Sequence, residues 1–398
     1  MVRCFRPSLC LSFAARPIQG ADDVIRILHV FRKMDLGGAE TLIMNLYHEI
    51  DRSEIQFDFV VHVPEKGALD DEIRAMGGKI YVAPMYNIVN YPVYTAWWHR
   101  FLTEHPEYTL VHGHIGSSAA VYLKTAKTLG RYTVAHGHNT RDTIFNPTEC
   151  LFRIMSFPTR YVADHFFCCS RQAGVDMYGK KVGMSDRCEV LRNAIRVEKY
   201  QFTQETRERV RRGMHIADEI CVVGHVGRMT RQKNHDWILE VFRAFHRLHP
   251  ASQLWLIGKG ELEEKLKKKT AEMGLKDSVL FLGTTQRVQD YLQAMDLFLF
   301  PSRFEGLGNV LIEAQAAGLP CVVSEAIQDE AVLSTDRVAR LELSQDVQVW
   351  AETVENYINK GKEQRAQQAE NVIEAGFDFR QTAGKLADFY RLHAKNGI

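Results

Sequence analysis

FPSRFEGLGNVLIEAQAAGLP, residues 300–320, runs from the end of a strand through a polar loop into a helix and carries most of the polar chemistry of the chain. The residues leading into it, DLFLF (296–300), form a short apolar run of strand length. From Asn309 onward the pattern becomes that of a helix. Between them, Ser302 to Gly308 supplies two glycines, Gly306 and Gly308, that let a backbone approach a ligand closely. Asn309 is placed to start the helix, whose first N–H groups lack intrahelical partners and attract an anion. Glu305 precedes the helix and Glu313 lies inside it. On one continuous helix, eight steps would set two residues ~80° apart. The intervening glycines put Glu305 in the loop instead, so the two carboxylates read as separate grips on one ligand and not as an acid/base couple.

Working outward, the same alternation repeats. ICVVGHVGR, QLWLIGKG, VLFLG, DLFLFPS and PCVVSEA read as buried strands in the second half, with helical stretches such as HDWILEVFRAFHRLH and ELEEKLKKKTAEMG between them. IRILHVF, QFDFVVHV, KIYVAP, TLVHGH, YTVAHGH and HFFCCS play that part in the first half. Strand alternating with helix predicts parallel sheets covered on both faces. The expected fold class is α/β, with two Rossmann-like doubly wound domains facing across a cleft. The expected division is an N-terminal extension over 1–23 without regular structure, a first domain over 24–200, a second over 201–376, and a C-terminal helix over 377–398 that packs back toward the first domain. CEVLRNAI reads as the last strand before the boundary near Tyr200.

Ligands of open α/β sheets bind outside the carboxyl ends of the strands. Five polar loops follow strands directly: LGGAE with Gly37 and Gly38, HGH (112–114), HGHNT (136–140), GRMTRQK (227–233) and SRFEGLG (302–308). Arg228 and Lys233 share one connection. A guanidinium fork and a mobile ammonium suit a diphosphate. The four histidines 112, 114, 136 and 138 follow two neighbouring strands, but no carboxylate or cysteine completes a metal set in either motif. Eight cysteines occur without a CxxC pair, which reads as small buried hydrophobes in a reducing compartment. Net charge is +1 and the densest basic run, Lys265 to Lys269, reads as one solvated helix face, so no nucleic-acid partner is expected. No apolar run reaches the ~18 residues of a membrane span. The start, MVRCFRPSLCLSFAA, has too short an apolar piece for a secretory signal.

The E-x7-E pair Glu305 and Glu313, with MDLGGAETLIMNLY, HVGRMTRQKNH and LRNAI, resembles the large group 1/family 4 class of retaining glycosyltransferases of GT-B fold, over the whole chain from Ile25. Within that class, EIQFDFVVH and HGHNT look closest to bacterial exopolysaccharide and capsule transferases. The resemblance implies that Arg228 and Lys233 bind the donor diphosphate, Glu313 the ribose hydroxyls and Glu305 the transferred sugar. Backbone amides of Gly306, Leu307, Gly308 and Asn309 would hold sugar and phosphate, and Gly37 and Gly38 would let the first loop close on the phosphate. His138 aligns with the class's active-site histidine. It further implies a nucleotide-sugar co-substrate, a UDP-sugar, with no cofactor and no metal; no Asp-x-Asp motif occurs. A glycan or polyprenol-linked acceptor, a cytoplasmic site at the inner face of the plasma membrane, and peripheral membrane contact helped by Lys124 and Lys127 complete the expectation. Asn193-Ala194-Ile195-Arg196 departs from the class's Asn-Gly-Ile/Val-Asp. A nucleotide-sugar epimerase of the same fold and a non-catalytic sugar-nucleotide-binding subunit are the alternatives.

Overall fold

The computed structural model describes residues 24–138, 154–192, 194–305, 307–360 and 364–394. The extension over 1–23, Asn139, Thr140, Asn193, Gly306, the end of the C-terminal segment and Cys4, Cys10 and Cys150 lie outside the described residues.

Two wholly parallel sheets are present. The first comprises β1 (Ile25–Phe31), β2 (Ile55–Val61), β3 (Ile80–Val82), β4 (Leu110–Gly113), β5 (Tyr132–Gly137), β6 (His165–Cys168) and β7 (Cys188–Val190), in the order β3-β2-β1-β4-β5-β6-β7. The second comprises β8 (Cys221–Val226), β9 (Ser252–Ile257), β10 (Val279–Gly283), β11 (Leu297–Phe300), β12 (Cys321–Ser324) and β13 (Val338–Leu341), in the order β10-β9-β8-β11-β12-β13. Each is doubly wound, with an apolar core on either face. The α/β expectation of two Rossmann-like domains holds.

Strand order fixes where a ligand can sit. In the first sheet the chain proceeds from β1 to β2 to β3, then returns to place β4 on the other side of β1. In the second it returns to place β11 beside β8. These reversals open crevices at the carboxyl ends of β1/β4 and β8/β11. The loops that leave those four ends are LGGAE, HGH, GRMTRQK and SRFEGLG.

At the opposite end of β11, Asp296 accepts hydrogen bonds from Arg207 at 2.7 Å, from the fully buried Arg211 at 2.6 Å and from the Val222 amide at 2.8 Å. That end is built for stability.

Two elements depart from the sequence reading. CEVLRNAI contributes only Cys188–Val190 as strand; Ile195 instead bridges to Asp378. Ile195 donates to the Phe377 carbonyl at 2.7 Å and accepts from the Phe379 amide at 3.1 Å, so two crossings between the domains run side by side. β13 has no counterpart in the reading, because a four-residue edge strand carrying the exposed Arg340 shows no apolar run. The helix Phe379–Ala394 lies on the first domain. Phe379, Leu386 and Tyr390 join its core, the Tyr390 hydroxyl bonds His112 Nδ1 at 2.7 Å, and Arg391 pairs with Glu54 at 2.6 Å.

Candidate functional site

The β8/β11 crevice is assembled by five contacts between two loops. The Arg303 amide donates to the Gln232 carbonyl at 2.8 Å, and Gln232 Nε2 donates to the Phe304 carbonyl at 3.0 Å. Asn234 Nδ2 donates to the Pro301 carbonyl at 3.2 Å, and an Arg303 guanidinium N–H donates to Asn234 Oδ1 at 3.0 Å. At the mouth, Lys233 Nζ bonds Glu305 Oε1 at 2.7 Å, with side chains only 16% and 7% exposed. Its ammonium also lies 4.7 Å from the Phe300 ring centre. Asn234 is buried in the left-handed region, at φ 57°, where Asn is one of the few residues tolerated. It turns the chain between Lys233 and the helix His235–Leu248.

Arg228, on the same loop, is exposed and makes no side-chain hydrogen bond among the described residues. Its backbone is fixed from behind by the loop after β9. The Met229 amide donates to the Lys259 carbonyl at 3.0 Å. Gly258 sits at φ 135°, and a Cβ there would meet the Gly227 carbonyl oxygen at 2.1 Å. A glycine at 258 is therefore what lets the β9 loop brace the basic connection, a part of the site that the sequence reading treated only as the end of a strand.

Glu305 lies in the loop and Glu313 in the helix Asn309–Ala316, as the glycine spacing implied. The helix starts at Asn309, as expected. Gly308, at φ 80° and ψ 52°, is the N-cap and Asn309 the exposed first helical residue, because the left-handed turn needs glycine. Leu307 is buried in the second domain's core, so its side chain is not available to the crevice. Glu313 is partly buried against Tyr200, on the crossing segment between the domains. Burial pushes its carboxyl up to about 7, against a smaller lowering by the Tyr200 hydroxyl. Burial, then the nearby Glu313 carboxylate, pushes the Tyr200 phenol up in turn. Nothing in the local sequence marks Tyr200, which lies over a hundred residues before its partner in the chain.

The β1/β4 crevice is lined by histidines. His29 Nδ1 contacts His114 Nε2 at 3.0 Å, and His114 Nδ1 contacts His138 Nε2 at 2.8 Å. His136 lies against His138 with ring centres 4.0 Å apart and planes tilted by 30°. Burial pushes His138 down to about 4 and His29 to about 3, and holds His112, His114 and His136 well below the usual imidazole range. The cluster is neutral at pH 7 and offers an anionic ligand no formal charge. Two triads, His29/His112/His114 and His114/His136/His138, bring ring nitrogens within 4.8 Å of one another and could hold a metal. His29, inside an apolar strand, is the third member that inspection of the two motifs missed. The contacts of 2.8 and 3.0 Å are shorter than the ~3.3 Å between two nitrogens ~2.0–2.1 Å from one tetrahedral ion. The present arrangement is a hydrogen-bonded chain ending at His138.

Gly37 caps the helix Gly38–Glu49. A Cβ at Gly38 would meet nothing within 4 Å, so the space beside it is open, and a Cβ at Gly37 would meet only the end of the Glu40 side chain. Gly306, between Glu305 and Leu307 in the sequence, lies outside the described residues.

Two doubly wound domains of this kind, each with a switch-point crevice, are the arrangement of the GT-B fold. Residues 36–199 match the model described as Glycosyltransferase Family 4, and residues 220–360 match that described as Glycosyl transferases group 1. The putatively assigned glycosyltransferase EpsF of Bacillus subtilis is 31% identical over 371 residues, 92% of this chain and 96% of that protein. A 141-residue stretch, 35% of this chain and 36% of the relative, is 31% identical to the UDP-Gal:alpha-D-GlcNAc-diphosphoundecaprenol alpha-1,3-galactosyltransferase of Escherichia coli. The crystal structure of Anabaena HepE in complex with UDP superimposes with a TM-score of 0.75 at 17% identity, covering 92% of this chain and all of that one. The chain belongs to the group 1/family 4 glycosyltransferases.

Proposed function

We propose that this glycosyltransferase moves a sugar from a UDP-sugar to a lipid-linked glycan in surface polysaccharide assembly, with retention of anomeric configuration and without a metal. The observation that carries the reading is the Lys233–Glu305 pair, which joins the basic loop to the acidic loop at the switch point of the second sheet. UDP as the nucleotide is supported by the HepE complex, and the lipid-linked acceptor by the diphosphoundecaprenol relative.

In this reading Arg228 and Lys233 hold the diphosphate, Glu313 the ribose diol and Glu305 the sugar hydroxyls. Amides of Leu307, Gly308 and Asn309, with Gly306, approach sugar and phosphate. Gly37 and Gly38 leave room for the phosphate to meet the first domain, and neutral His138 faces the sugar from there. The bond from the anomeric carbon to the β-phosphate oxygen breaks and its electron pair stays on the leaving diphosphate. The acceptor hydroxyl oxygen bonds the same carbon on the same face, and its proton passes to a phosphate oxygen. Preorganised cations and helix N–H groups stabilise the growing negative charge.

Incubation with labelled UDP-sugars and a polyprenol-linked acceptor is the test. The expected result is a labelled lipid with activity unchanged by EDTA. Activity lost to EDTA and restored by Mg²⁺ would reject the metal-free clamp, and an epimerised donor without transfer would favour the isomerase reading.

Glu313 gives a pH signature. Its carboxyl titrates near 7, above the ordinary 4.5, so it is largely protonated below pH 7. A diol donates its hydrogen bonds best to the ionised form. Donor KM is therefore expected to be about tenfold higher at pH 6 than at pH 8. In Glu313→Gln that slope should vanish; the same slope in the variant would assign the titration elsewhere.

A further inference from the structure

The segment between β3 and the helix Tyr91–Glu104 combines order with exposure. Residues 80–98 contain no Asp, Glu, Lys, Arg or His. Within them Met85, Ile88, Val89, Tyr91 and Val93 are exposed, Val89 to 93%. This is not the exposure of a loose loop. Asn87 and Asn90 cap each other through reciprocal backbone-to-side-chain bonds of 2.8 Å, and Asn90 Nδ2 donates to the Met85 carbonyl at 2.8 Å. Pro92 stiffens the helix start. Behind the loop Tyr86 packs on Tyr94, whose hydroxyl bonds His62 Nε2 at 2.6 Å. A water-exposed, rigidly held row of aliphatic side chains needs a partner.

We propose that this loop inserts into the lipid bilayer and so presents the first domain's crevice to a membrane-anchored acceptor. The inference rests on the lipid-linked acceptor of the reading above. Three observations select a bilayer over another protein. The patch is a single narrow strip, the loop and the first turn of the helix after it, with five exposed apolar side chains, far short of the ~20–30 residues a side of a stable protein interface. Tyr91 within the patch and the partly buried Trp97, one helical turn beyond Val93, are of the residue type that favours the membrane–water interface. All strands of the sheet are parallel, so the loop leaves β3 at the same edge as the Gly37/Gly38 loop leaves β1. Insertion by ~5–10 Å would set that edge at headgroup level, where a polyprenyl diphosphate carries its glycan.

The attachment is apolar, not electrostatic. On the neighbouring loops Lys33 pairs with Asp35 at 3.0 Å and Lys66 with Asp71 at 2.5 Å, leaving Arg32 as the cation there without an acidic partner among the described residues. The basic face expected around Lys124 and Lys127 is weakened as well, because Lys127 is held by Asp164 and the Val162 carbonyl.

Sedimentation of the full chain with phosphatidylcholine vesicles and with vesicles containing phosphatidylglycerol tests the proposal. Comparable binding to both is expected, insensitive to 0.5 M salt. Ile88→Asp/Val89→Asp should weaken binding about tenfold or more, with melting temperature and transfer to a water-soluble acceptor analogue unchanged. A Val89→Trp variant supplies a second readout, since its fluorescence should be quenched by bromine-labelled acyl chains. Binding only to anionic vesicles, binding unaffected by the double substitution, no quenching, or a dimer dissociated by that substitution would each overturn the proposal. Activity on the soluble analogue separates these failures from failure of the transferase reading.

Discussion

Glu305→Gln is expected to lower the rate of sugar transfer by roughly 10²–10³-fold while the protein remains folded. The substitution keeps the side chain's shape and its capacity to accept a hydrogen bond. What it removes is the negative charge 2.7 Å from Lys233 Nζ in a site sheltered from water. There a charge-assisted hydrogen bond is worth about twice a neutral one, and the carboxylate is lost as a strong acceptor for sugar hydroxyls. Lys233→Ala should cost a similar factor by the opposite route: Glu305 keeps its charge, but the diphosphate loses a cation. Because the two groups touch, the double variant should fall well short of the product of the single effects. Single-turnover rates of the three variants check this, with melting temperatures as control. A near-wild-type rate in either single variant would remove the pair from the site.

Deleting residues 379–398 is expected to abolish cooperative folding of the first domain and, with it, all transfer. The helix Phe379–Ala394 follows the second domain in sequence yet belongs to the core of the first. Full burial of a large apolar side chain is worth about 1.5–3 kcal/mol. Phe379, Leu386 and Tyr390 together then approach the ~5–15 kcal/mol by which a domain is stable at all. The deletion also strips the Tyr390 hydroxyl from His112, whose ring is wholly buried, and removes the Phe379 amide that donates to the Ile195 carbonyl. Near-ultraviolet circular dichroism and a calorimetric scan read the outcome. A truncated chain that keeps two cooperative transitions would mean that the helix is an accessory and not a part of the domain.

Both predictions depend on contacts that a linear reading reaches unevenly. Alternation of β-branched runs with helical stretches is local, so the α/β architecture and the positions of the switch-point loops were legible. So was the placement of Glu305 in the loop and Glu313 in the helix, because glycine spacing decides it within nine residues. The Lys233–Glu305 contact was not, since it spans 72 positions and follows from strand order, which periodicity does not encode. Tyr200 escaped for the same reason: its role follows from where the crossing segment passes Glu313. His29 was hidden by its setting, one polar ring in the apolar strand IRILHVF, and only pairing of β1 with β4 brings it to His114. At 188–195 local β-propensity was overridden, because the chain leaves the sheet after Val190 to meet Asp378. The exposed stretch 85–93 received no reading between the strand KIYVAP and the helix after it, since exposure is a property of the packed molecule.

The anomeric configuration of the product tests the central claim most directly. Transfer from a UDP-α-sugar to a polyprenol-linked acceptor in the presence of EDTA, followed by proton NMR of the new linkage, should show an α-glycoside with the small axial–equatorial coupling of the donor retained. A β-linked product, or no product without added metal, would contradict the account.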